Sequence, residues 1–158
     1  LVETTTRGAD ILSDPSKYKP KTKETADHSL PYVIAAAVAD GNVLPDSFSD
    51  EKLKDPRIWD LLDKIKVVAD PEIDALFPGV KRARVSITTD TGETHTAQVD
   101  HAKGSPENPL SDDEIVSKFR ANAEGVMSKQ RQDEIIAATW AFDEIEDLSE
   151  YMALLVQE

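Results

Sequence analysis

Residues 82–100 read RARVSITTDTGETHTAQVD, and this stretch decides the fold class. Ala83, Val85 and Ile87 alternate with Arg82, Arg84 and Ser86, which is the period of two that a half-buried strand requires. Asp90-Thr91-Gly92-Glu93 then supplies turn residues, and Thr94 to Asp100 returns as a second strand. The pattern predicts an antiparallel hairpin over 81–100. It places Ala83, Val85 and Ile87 against a helix layer and turns Arg82, Arg84 and Ser86 outward.

Upstream of the hairpin the signals are mixed. Leu1 to Leu12 reads as a strand passing into a short helix, and Ser13 to Pro20, with two prolines, reads as a surface loop. Leu30 to Ala39 is apolar on every side and stops at Gly41, so a buried helix is expected, with Pro31 in its first turn and Asp27 or Ser29 as its cap. From Pro56, the residues Ile58, Leu61, Leu62 and Ile65 recur at helical spacing beside Trp59. Val67 and Val68 suggest a short strand, followed by a helical turn from Pro71 to Phe77. Downstream, Gly104 to Pro109 breaks the pattern and marks the expected boundary between residues 1–105 and 106–158. Beyond it Ser111 and Glu114 form a capping box. Three apolar stripes follow: Ile115, Val116 and Phe119; then Ile135, Ile136, Thr139, Trp140 and Phe142; then Leu148, Tyr151, Met152 and Leu155. Three helices are too few to bury these stripes among themselves, unless they also pack on the α+β part. The fold class is α+β, with helices at the C-terminal end that call for a helical host.

The chain of 158 residues contains no cysteine, which excludes disulfides, thiolate nucleophiles and Cys-ligated metal centres. A net charge of −13 opposes nucleic acid as a partner, because phosphate affinity comes from Lys and Arg displacing counterions. The longest apolar run, Leu30 to Ala39, is too short to cross a bilayer, so a soluble, cytoplasmic protein without a membrane partner is expected. The chain opens on Leu1 in a strand-like stretch, and sequence upstream of it is expected to belong to the same protein.

The metalloprotease, phosphate-loop, nucleophile-elbow and EF-hand signatures are all absent. Of the three histidines, His95 and His101 flank the second hairpin strand, where a structural role is expected. His28 stands in a different setting. Ser16 to Lys23 places four lysines in eight residues of an acidic chain, and Asp27, His28 and Ser29 follow at the start of the apolar helix. Two readings are open. In one, a small polycarboxylate docks at this helix start, with His28 donating a hydrogen bond or a proton. In the other, the lysines are a solvated face, Asp27 is a cap and His28 ties loop to helix; the residues alone favour this second reading.

Lys21 to Tyr32 reads KTKETADHSLPY and runs on as VIAAAVADG to Gly41. This resembles the MmgE/PrpD family pattern, in which T-x-E-T-A-D-H-S-x-P-Y leads into a small-residue helix ending in D-G. Asp46 to Pro56 with Phe48, the hairpin, and Asn108-Pro109-Leu110-Ser111 leading to Lys118-Phe119-Arg120 keep the same order. The resemblance implies a lid-type α+β subdomain, with final helices that return to an all-helical domain located upstream in the same enzyme. It also implies a cleft active site, a homodimer, and lyase or isomerase chemistry on a small polycarboxylate without metal or organic cofactor. Dehydration of 2-methylcitrate, decarboxylation of cis-aconitate and epimerisation of an imino-diacid are the reactions of the family. Its main acid–base residues lie upstream and have no counterpart here, so a fragment on its own is expected to be inactive. The D-H-S-x-P-Y segment carries over as His28, the candidate catalytic residue, with Asp27, Ser29 and Tyr32; with Lys19 and Lys21 of the lysine run, these three are the candidate substrate-binding residues. The alternative is a non-catalytic subunit or interaction module that keeps the family fold.

Overall fold

The computed structural model describes residues 1–156. It divides into two compact units, Leu1–Pro109 and a second that begins at Leu110. The last two residues of the expected 106–158 segment lie outside the described residues.

The first unit is α+β. Its elements are β1 (Val2–Thr4), α1 (Thr6–Leu12), α2 (Lys23–Asp27), α3 (Leu30–Asp40), α4 (Pro56–Leu62), β2 (Val67–Ala69), α5 (Pro71–Leu76), β3 (Ala83–Thr88) and β4 (Thr94–Val99), with 3-10 turns at Pro15–Tyr18, Pro45–Phe48 and Lys52–Lys54. The strands form one sheet in the order β2-β1-β3-β4. β1 runs parallel to β2 and antiparallel to β3, and β3 pairs with β4 as the expected hairpin. The register aligns Val67, Val2, Val85 and Ala97 across the sheet, so their side chains share one face. Val68, Glu3, Arg84 and Gln98 share the other.

The valine face looks toward α3 and α4, as the alternation predicted. Val2, Val85 and Ile87 line one crevice with Ile34, Val38, Leu61 and Ile65. The helix layer does not reach the far end of the hairpin, and Ile87 stays 46% exposed. The opposite face departs from expectation. Arg82 and Arg84 do not turn out into solvent; both are half-buried. Arg84 Nη1 lies 3.1 Å from Asp70 Oδ2 and 3.4 Å from Glu3 Oε1, and Arg82 makes a two-point contact with Asp100 at 2.8 and 2.7 Å. The arginine stems cover sheet surface while the guanidinium groups find carboxylates on neighbouring elements. Alternation fixes the face of a residue and is silent on what lies behind it.

α3 forms where the sequence predicts it. Ser29 caps it, Pro31 sits in its first turn, and Gly41 ends it at φ 75°, a left-handed conformation that glycine adopts without strain. It is not buried all round, however. Pro31, Tyr32, Ala35 and Ala36 are buried, whereas Val38 is 47% exposed. The buried alanines allow a close approach to α4, whose Ile58 and Leu62 complete a core with Ala26, Tyr32 and Leu53. Trp59 packs at its edge and donates from Nε1 to Leu53 O at 2.8 Å. The end of α3 is fastened by charge: Asp40 accepts from Lys52 Nζ at 2.6 Å and from Arg57 at 3.1 Å. Both cations hold the Asp40 carboxyl below its usual range, the Lys52 hydrogen bond contributing most.

The second unit consists of α6 (Asp112–Ala123), α7 (Lys129–Trp140) and α8 (Leu148–Leu154), with a 3-10 turn at Phe142–Glu144. Ser111 and Glu114 form the predicted capping box. The three apolar stripes face one another across an open groove of about 420 Å³, lined by Phe119, Ile135, Ile136, Trp140, Tyr151 and Leu155 among others. Trp140 remains 52% exposed and Met152 57%. Within this unit the stripes meet without closing over a core.

Candidate functional site

The site is assembled by two short elements and the start of α3. Thr22 and Thr25 form a reciprocal cap on α2, Thr22 N–H donating to Thr25 Oγ1 at 2.9 Å and Thr25 N–H to Thr22 Oγ1 at 3.3 Å. Lys21 N–H also donates to Thr25 Oγ1, at 3.0 Å. α2 lasts only five residues, and His28 stands at its C-terminal end. His28 Nδ1 lies 3.0 Å from the Glu24 carbonyl oxygen and also contacts Asp27 Oδ1. The His28 side chain is otherwise open, at 68% exposure. The Glu24 carbonyl first, and the Asp27 carboxylate with it, raise the His28 pKa above the ordinary histidine value, while the Lys17 charge acts against them.

Ser29 has no exposure to solvent. Its Oγ accepts from Tyr32 N–H at 3.1 Å, capping α3, and donates to Lys17 O at 2.6 Å. That second bond pins the lysine-bearing loop to the helix start, and brings Lys17 beside His28. The loop is therefore packed and not free: it folds into a 3-10 turn, and Pro20 at its end is buried. Tyr32 is also fully buried. Its hydroxyl donates to Ser47 O at 2.9 Å and its ring packs on Phe48 at 5.9 Å between centroids, and burial pushes its pKa up.

The six residues singled out in the sequence thus separate into two groups. Asp27, His28, Lys19 and Lys21 are exposed; Ser29 and Tyr32 lie beneath them. The ammonium groups of Lys19 and Lys21 form no ion pair among the described residues. Sequence spacing did not single out Lys17, because its place is set by a hydrogen bond to a residue twelve positions away. The other histidines stand at the ends of the hairpin, His95 3.3 Å from Glu93 and His101 3.8 Å from Glu107. Among the described residues no group of three or more His, Cys, Asp or Glu is placed to hold a metal ion, and no helix is long and apolar enough to cross a membrane.

Comparison with known proteins finds relatives over most of the chain. The cis-aconitate decarboxylase of Mus musculus is 30% identical over 136 residues, 86% of this chain and 28% of that protein. The enzyme of the same name from Homo sapiens is 29% identical over the same shares of each. A cis-aconitate decarboxylase-like protein, oryM, of Aspergillus oryzae is 32% identical over 141 residues, 89% of this chain and 29% of that protein. The chain therefore spans less than a third of the length of these relatives. The family model for the MmgE/PrpD C-terminal domain matches residues 1–143, and the chain belongs to the MmgE/PrpD family as its C-terminal domain.

Proposed function

We propose that this chain is the C-terminal part of a cofactor-independent lyase or isomerase acting on a small polycarboxylate. The observation that carries the proposal is local: in a chain of net charge −13, a packed loop bearing a half-buried Lys17 and an exposed Lys19 and Lys21 is held beside an exposed histidine by a buried serine. Lys17, Lys19 and Lys21 supply positive charge that a carboxylate needs, and His28 adds a directed hydrogen bond or a proton. Asp27, Ser29 and Tyr32 hold these groups in place. The names of the relatives favour decarboxylation of cis-aconitate over dehydration of 2-methylcitrate as the first reaction to assay. In either case the substrate's carboxylates have to be fixed while charge changes at the carbon between them.

The rest of the proposal concerns what surrounds the chain. The open groove of the second unit, with Trp140 and Met152 exposed, suits an upstream helical domain of the same enzyme, which would close the core that three helices leave open. The parent is proposed to be a cytoplasmic homodimer. The principal acid–base groups belong to the upstream part, and this sets the test. The purified chain alone is expected to turn over neither cis-aconitate nor 2-methylcitrate, and the full-length parent to turn over at least one. Turnover by the isolated chain would sink the division of labour. A parent inert toward both of these and toward epimerisation of an imino-diacid would favour an interaction module that keeps the fold without the reaction.

A further inference from the structure

Both neighbours of His28 Nδ1 are acceptors. One is the main-chain carbonyl of Glu24, 3.0 Å away; the other is the Asp27 carboxylate. A carbonyl oxygen and a carboxylate are acceptors only, so the hydrogen between them belongs to Nδ1. A neutral imidazole carries one N–H, and the second ring nitrogen then presents a lone pair. For His28 that nitrogen is Nε2, which makes no hydrogen bond among the described residues and belongs to a side chain 68% exposed.

We infer that Asp27 and the Glu24 carbonyl are positioning groups that fix the His28 ring as one half of a carboxylate–imidazole dyad, with Nε2 as its working atom. The inference rests on the anion-site reading above and deepens it, because it assigns the atom that meets a substrate carboxylate and the condition under which it does so. With the ring protonated, Nε2 donates to a carboxylate oxygen. Once the ring is neutral, Nδ1 keeps its hydrogen and the Nε2 lone pair faces the carboxylate, so the hydrogen bond is lost. Affinity for a carboxylate therefore falls as pH rises through the His28 titration. The charged groups facing the ring are Asp27 from α2 and Lys17 from the 3-10 turn, and they act in opposite directions.

The dyad also accounts for an acidic residue inside a site meant for carboxylates. Asp27 beside a substrate anion would repel it if its charge were unopposed. Turned onto Nδ1, that charge sustains the imidazolium and is offset by it. Asp27 is thus assigned to the ring and not to the substrate.

The test uses this chain, labelled with 15N, and long-range imidazole spectra recorded across a pH series with and without citrate as the probe. His95 is an internal comparison, since its Nε2 is the nitrogen nearest to Glu93. Neutral His28 is expected in the Nδ1–H form, with Nε2 shifting on citrate addition only while the ring is protonated. Asp27→Asn is expected to lower the His28 titration midpoint, while the Glu24 carbonyl keeps the hydrogen on Nδ1; Asp27→Ala checks that the direction does not depend on the amide. A neutral His28 carrying its hydrogen on Nε2, or a midpoint unmoved in both variants, would overturn the dyad even if citrate binds. The expected tautomer and midpoint shift with no response to citrate would support the dyad and remove the carboxylate site on which its use was built.

Discussion

Replacing His28 with alanine in the full-length parent is expected to lower kcat/KM by about 10²- to 10⁴-fold, the range of a positioned acid–base group, with little change in melting temperature. The structure separates the two effects. The ring is 68% exposed and contributes nothing to the core cluster, so truncation opens no cavity. The cap of α3 belongs to Ser29 and the cap of α2 to Thr22, and both survive the change. What disappears is the exposed imidazole, whose charge state Lys17 and Asp27 influence in opposite directions. If His28 serves only to tie α2 to its own carbonyl at Glu24, the same variant should melt earlier and keep wild-type kinetics in the folded fraction. Steady-state kinetics and thermal unfolding on the same preparation distinguish these outcomes.

Tyr32→Ala is expected to cost about 3–5 kcal/mol, the usual consequence of removing a large buried aromatic ring. Tyr32 has no exposed surface, packs on Phe48, and lies in one cluster with Ala35, Ala36, Leu53, Ile58 and Leu62. A domain of this size is stable by roughly 5–15 kcal/mol, so the loss takes a large fraction of the whole. Tyr32→Phe keeps the ring and leaves Ser47 O without its donor, at a smaller cost of about 1–3 kcal/mol. Urea unfolding of the two variants should rank them in that order. A loss below about 1 kcal/mol for the alanine variant would mean that the ring is not the centre of this core.

Those two residues show how much of the molecule could be read before its structure. The hairpin was legible because alternation and an Asp-Thr-Gly-Glu turn are local signals, and α3, α4 and α6 were legible because Ser29, Pro56 and Ser111 mark their starts. Nothing local announces that β1 pairs in parallel with β2, since Val2 and Val67 are joined only by the packing of everything between them. The same holds for Arg84, whose alternation fixed its face while its partners Glu3 and Asp70 come from other elements. At the site, the D-H-S-x-P-Y segment was visible as a motif. Its division into an exposed pair, Asp27 and His28, and a buried pair, Ser29 and Tyr32, depends on contacts to Lys17 and Ser47 that spacing does not encode. The apolar stripes of the second unit were read correctly as faces too large for three helices to bury.

The central claim is that the loop from Lys17 to Lys21 and the start of α3 together hold a small polycarboxylate. Titrating citrate into this chain at low salt, with backbone amide resonances observed by NMR, tests it most directly. Saturable shifts concentrated on Lys17 to Ser29, weakened by added salt as charge attraction requires, are the expected result. Citrate shifts that never saturate, or that fall elsewhere while Lys17 to Ser29 stays still, would contradict it.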